Sequence, residues 1–235
     1  MFPIWDDQHH KGSFAPITRS FLVVNIIVFL HQASLSPAWF EAFVIQWWTV
    51  PALITNWESL ITLLTNMFLH GSWMHLIGNM LFLYVFGDNI EKELGSLKFV
   101  VFYVVWWVAA SMSHILLDPS STIPAVWASW AIAALLWAYL IWFPKAKIKM
   151  LSPYWGTFLI GALQFLWYWI VVQIISGVWS LWWSWWWVAW WAHIGWFVYG
   201  VVIAMVSGWK RAKSEEFRAK SEWSWFSVDE RVRNK

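Results

Sequence analysis

Apolar residues in this chain do not alternate or fall into narrow stripes; they come in long unbroken runs separated by short polar segments. A bilayer core needs about 20 apolar residues per helical span. Six stretches approach that length: roughly 16–33, 60–86, 99–117, 124–143, 154–176 and 188–207. The first is the weakest, because Arg19 and Asn25 interrupt it. The pattern predicts an all-α membrane protein of six transmembrane helices. A cytoplasmic N-terminal segment 1–15 and a charged cytoplasmic tail 208–235 are expected to flank the membrane domain 16–207. No removable signal peptide is expected, since no small-residue cleavage site follows the first apolar run.

Charge fixes the expected orientation. All fifteen Lys and Arg fall in 1–19, 87–98, 144–153 and the tail from Gly208, whereas the alternate segments carry only Glu41, Glu58 and Asp118. This is the positive-inside distribution, so both termini are expected in the cytoplasm, in a bacterial-type inner membrane. Residues 34–59, with Trp39, Phe40, Phe43, Ile45 and Trp47, are too apolar for a solvated loop and suit a segment lying in the interface. The tail, where Lys213-Ser214-Glu215-Glu216 mixes signs, reads as a solvated helix or extension.

Composition sharpens the class. The chain is 60% hydrophobic and 12% charged, about half the charged share of a soluble domain, with a net charge of +2 and no Cys. Disorder, disulfide scaffolds and Cys-ligated metal sites are excluded, and nothing in the charge supports a nucleic-acid partner. Tryptophan is the anomaly: 27 Trp stand against 11 Gly, in a protein class that favours glycine.

Polar groups inside spans are costly and therefore informative. His75 and Asn79 lie one turn apart on one face of the second span. Ser129 and His193 each lie five residues into spans four and six, which run in the same direction. At 1.5 Å per residue both sit roughly 7–8 Å below the outer surface. A serine and a histidine at matched depth have the geometry a nucleophile and its base require. Each also has a plainer reading: the serine bonding back to a carbonyl one turn earlier, the histidines and Asn79 bridging helices. His70 and His75, with no His-Glu-x-x-His run and no Cys, give no case for a metal.

The run His70-Gly71-Ser72-Trp73-Met74-His75-Leu76-Ile77-Gly78-Asn79-Met80, followed by Phe86-Gly87-Asp88-Asn89 and Glu91, resembles the second span of the rhomboid intramembrane serine proteases. Ala192-His193-Ile194-Gly195 with Gly200 resembles their sixth span. The six-span order and the long first outer segment match as well. The resemblance covers about residues 16–207. It implies a serine endopeptidase cutting transmembrane segments of other membrane proteins, with Ser129 as nucleophile, His193 as base, and His75 and Asn79 as oxyanion donors. No cofactor or metal is implied. Transmembrane substrates and the lipid bilayer are the expected partners, and the oligomeric state is not readable.

Two departures are large. The family carries Gly-x-Ser-Gly at its nucleophile, where this chain reads Trp127-Ala128-Ser129-Trp130, and Trp196 replaces the second glycine after the histidine. Ala133 stands where some members have a tyrosine. Trp130, Ala134 and Trp137 form one stripe, and His193, Trp196 and Gly200 another. Membrane helices meet closely through small residues, and indoles there hold backbones apart. The outer segment Trp182-Trp183-Ser184-Trp185-Trp186-Trp187 becomes an ordinary flexible linker if each indole is a glycine. We therefore expect many tryptophans to be misread glycines: a UGA codon meaning Gly in one variant code and Trp in another. The set comprises Trp48, Trp107, Trp127, Trp130, Trp137, Trp167, Trp179, the five at 182–187, and Trp196. If Trp127, Trp130 and Trp196 are genuine, the alternative is an inactive rhomboid-like protein that binds membrane clients. A small transporter fits less, because no acidic residue lies in a span and no repeat is visible.

Overall fold

A computed structural model of the chain describes residues 1–8, 14–125 and 128–180. Among these, two helices are long and apolar enough to cross a membrane: α1, Pro16–Ser34, and α7, Ser96–Leu117. Both fall where the first and third apolar runs predict them. The intervening helices are α2 (Pro37–Trp47), α3 (Pro51–Thr55), α4 (Thr62–Thr65), α5 (Trp73–Phe82) and α6 (Asp88–Leu94). A π-helical segment, Leu83–Gly87, joins α5 to α6, so the helical path is continuous from 73 to 94. Two further helices are α8, Ala128–Trp142, and α9, Ala162–Ser180.

The second span departs from expectation at its start. Residues 60–72 form α4, a 3-10 turn at Asn66–Phe68 and a loop, and the long helix begins only at Trp73. The break has a local cause: the Ser72 hydroxyl accepts the His75 backbone N–H and caps α5 at the N-terminus. At the other end Gly95, with φ of +78°, turns the chain in the left-handed region and releases it straight into α7. Glu91 ties this corner together. One carboxylate oxygen accepts from the N–H of Ile17 and the Ser96 hydroxyl, the other from the N–H and hydroxyl of Thr18. An acidic group from α6 thus satisfies the open first turn of α1, favourably placed for the helix dipole. Gly87 lets the same helices approach, since a Cβ there would lie 3.1 Å from Thr18 Cγ2.

The all-helical expectation needs a second correction. Three strands, β1 (Phe2–Asp6), β2 (Lys147–Ser152) and β3 (Gly156–Gly161), form an antiparallel sheet in that order. The fifth apolar run therefore enters its helix at Ala162, not near 154. Its first part pairs instead with β2, through a turn at 153–155 that enters β3 at Gly156 with φ of +69°. Ile148 and Met150 of β2 point into the core, while Lys147 is exposed.

The core sits where α8, α9, α7 and the π segment meet. Phe86 lies 4.8 Å from the Tyr139 ring and 5.6 Å from Phe165, in tilted or edge-on contacts. All seven residues of 133–139 are buried. A helix buried on every side is one that others surround, which makes α8 the central element. By contrast α2 has no buried residue, and its Trp39 is 71% exposed, as suits a helix against an apolar surface.

Candidate active site

α5 carries His75 and Asn79 and packs directly against α8, which carries Ser129. The Gly71 N–H donates to His75 Nδ1 in a long bond of 3.4 Å. A neutral imidazole that accepts at Nδ1 carries its proton on Nε2. His75 is thereby left with an Nε2–H to donate. Asn79, one turn further along the same face, is buried, and its Nδ2 has no partner among the described residues. Native structures rarely leave a buried amide donor unmatched, and where they do the group commonly has a task. His75 and Asn79 together offer two hydrogen-bond donors on one helix face, that of Asn79 unmatched among the described residues.

The surroundings hold α5 in place. His70 exchanges backbone bonds with the Gln32 side chain, at 3.3 and 3.4 Å. Its ring lies edge-on to His75 with centroids 5.1 Å apart. Trp73 stacks edge-on against Phe29 of α1 at 4.9 Å. Among the described residues no group of three His, Asp or Glu side chains converges on one point.

Ser129 lies in the first turn of α8, where backbone N–H groups have no intrahelical acceptor. Its side chain and that of Trp130 lie outside the described part, as do Trp127, His193 and Trp196. The expected meeting of Ser129 with His193 therefore lies outside the described residues.

Three of the tryptophans expected to be glycines have contrasting places. The Trp107 indole is fully buried and donates to the Leu63 carbonyl at 2.6 Å. Trp48 is packed near Phe40 with a buried Nε1 that has no partner among the described residues. Trp167 is 61% exposed. An indole is accommodated at 107, while at 48 it leaves a buried donor unmatched, which typically costs about 1–3 kcal/mol.

A second polar cluster, at the sheet end of α8, was not legible in the sequence. Asp6 of β1 is buried, and its Oδ2 accepts from Asn89 Nδ2 at 2.7 Å and from the Tyr139 hydroxyl at 2.5 Å. Burial pushes its carboxyl up from 3.8 to about 6, against the opposing bond from Tyr139 and with help from the nearby Asp88. The docked strand then binds a proton more tightly than the free strand. Its stability is greatest below about pH 4 and declines as pH rises through 6. Amide exchange at residues 2–6, corrected for intrinsic rates, should show greater protection at pH 5 than at pH 8. In Asp6→Asn the difference should vanish.

A profile of the Rhomboid domain matches residues 57–210. The chain belongs to the rhomboid family. It is 32% identical to Rhomboid-like protein 11, chloroplastic, of Arabidopsis thaliana over 83 residues, which is 35% of this chain and 29% of that protein. To RHOMBOID-like protein 5 of the same plant it is 33% identical over 78 residues, 33% of this chain and 25% of the relative. The matched regions thus span less than a third of either relative. As a rhomboid with long apolar helices, the chain is an integral membrane protein.

Proposed function

We propose that this rhomboid is an intramembrane serine endopeptidase that cleaves transmembrane segments of other membrane proteins through a Ser129–His193 dyad. The observation that carries the reading is the pair of donors on one face, His75 Nε2–H and Asn79 Nδ2–H, the latter buried and unmatched among the described residues, on a helix packed against the one that bears Ser129. The Ser129 hydroxyl attacks the substrate carbonyl while His193 takes its proton, later delivering it to the leaving amine. The oxyanion that forms is held by the two side-chain donors and by the Ser129 backbone N–H, an open group of the first helical turn. The substrate helix must unwind locally, because its carbonyls are otherwise held in its own hydrogen bonds. Six spans with both termini in the cytoplasm follow from the placement of all fifteen basic residues, and that polarity suits a bacterial inner membrane.

Activity depends on the residues at 127, 130 and 196. With glycine there, α8 and the sixth span can approach closely enough for the dyad; with tryptophan, three indoles crowd the same space. The second reading, an inactive client-binding rhomboid, is favoured only by the tryptophans as written.

Co-expression with a panel of single-span substrates tests the proposal. Cleavage should be lost on His75→Ala or Asn79→Ala by roughly a hundred- to a thousandfold each, the usual effect of removing one oxyanion donor. KM should change little, since an oxyanion exists only near the transition state. Full activity in both variants would remove the assigned oxyanion site.

A further inference from the structure

A polar knot outside the donor pair lies where the chain enters α8. Asn66, in the 3-10 turn before α5, is fully buried. Its Nδ2 donates to the Thr49 hydroxyl at 2.9 Å and to the Ala125 carbonyl at 3.0 Å. Thr49, also fully buried, donates its hydroxyl to the Thr62 carbonyl at 3.1 Å. Its carbonyl accepts the Ala125 N–H at 2.9 Å, in an isolated antiparallel bridge. Both backbone polar groups of Ala125 are therefore fixed, four residues before Ser129.

The placement gives this knot a consequence for chemistry. Asn66 belongs to the segment that leads, through His70 and the Ser72 cap, into the helix of His75 and Asn79. Ala125 belongs to the segment that leads into the helix of Ser129. One side-chain amide thus joins the segment before the donor helix to the segment before the nucleophile helix. We propose that Asn66 is a positioning residue that sets the separation of Ser129 from His75 and Asn79, with Thr49 aiming its amide. The proposal rests on the proteolytic reading above. Asn66 touches no reacting atom; it acts through the register of residue 125. A misplacement of about 1 Å, caused at a distance, can cost on the order of a hundredfold in rate.

The test uses the whole chain with glycine at 127, 130 and 196, reconstituted in lipid, with two readouts: kcat and KM on a cleaved single-span substrate, and the rate of Ser129 modification by a fluorophosphonate. Asn66→Leu keeps the volume and removes the donor. It should lower kcat and the modification rate together, about tenfold to a hundredfold, with KM within twofold. Asn66→Ser, which retains a hydroxyl donor, should recover part of both. Thr49→Val should lower kcat several-fold, and the double variant should be no worse than Asn66→Leu alone, because the two act through one bond. Should Asn66→Leu not fold, Thr49→Val against Thr49→Ser carries the test. An unchanged modification rate in folded Asn66→Leu, or in Thr49→Val when that pair carries the test, overturns the proposal. So does a loss confined to KM, or strictly additive effects. A parent protein that is never modified at Ser129 defeats the proteolytic reading itself, and the positioning role with it.

Discussion

Ser129→Ala and His193→Ala should each reduce cleavage of a transmembrane substrate by roughly four to six orders of magnitude, to background in any practical assay. The size follows from the cooperation of the two groups. A neutral serine hydroxyl is a weak nucleophile until a base removes its proton, and a lone imidazole has nothing to attack with. Removing either one removes the same chemical step, so the double variant should be no slower than the singles. No acidic residue lies within a span to orient the imidazole as in a triad. On the dyad reading, the orientation of the imidazole falls to groups other than a carboxylate. That makes its neighbours, above all residue 196 one turn along, unusually consequential. The check is a time course of substrate cleavage in lipid, with folded variants verified by thermal unfolding. Persisting activity in Ser129→Ala would assign the chemistry elsewhere.

Comparable in size is the expected difference between two forms of the same protein, one with tryptophan and one with glycine at 127, 130 and 196. The glycine form, W127G/W130G/W196G, should cleave, and the tryptophan form should not cleave measurably. Residues 133–139 of α8 are buried all round, so the described part of this helix is packed among neighbours that leave little room for movement. An indole occupies 150–250 Å² of surface in the general case, and overpacking a close helix contact moves backbones. Even a displacement of about 1 Å between nucleophile and base is worth on the order of a hundredfold, and three indoles exceed that. Parallel assays on both forms decide it. Equal activity would show that the site tolerates tryptophan and would remove the reason to read those codons as glycine.

What the sequence made legible, and what it hid, follows from how each feature is encoded. Continuous apolar runs mark α1 and α7 within three residues, because a bilayer-length helix needs little beyond composition. The His70-to-Asn79 run is local, and the helix that displays His75 and Asn79 on one face is local too. Composition fails where an apolar run is not one helix. Residues 60–72 are as apolar as a span, yet buried Asn66 and the Ser72 cap break them into short turns. Residues 156–161 read as the start of a span, but their partner is β2, and such pairing is decided by register rather than by hydrophobicity. Asp6 was hidden most completely. It lies in a segment expected only to be cytoplasmic, and its partner Tyr139 is 133 residues away.

The central claim is that Ser129 is an activated nucleophile in a chain whose site glycines have been read as tryptophan. One tandem mass spectrum tests both parts. The natural protein is treated with a fluorophosphonate, digested, and the peptide spanning residues 126–143 is sequenced. The account predicts glycine masses at 127 and 130 and a phosphonyl adduct on Ser129 that disappears in His193→Ala. Tryptophan masses at both positions with an unmodified Ser129 would contradict it and leave the inactive, client-binding rhomboid in its place.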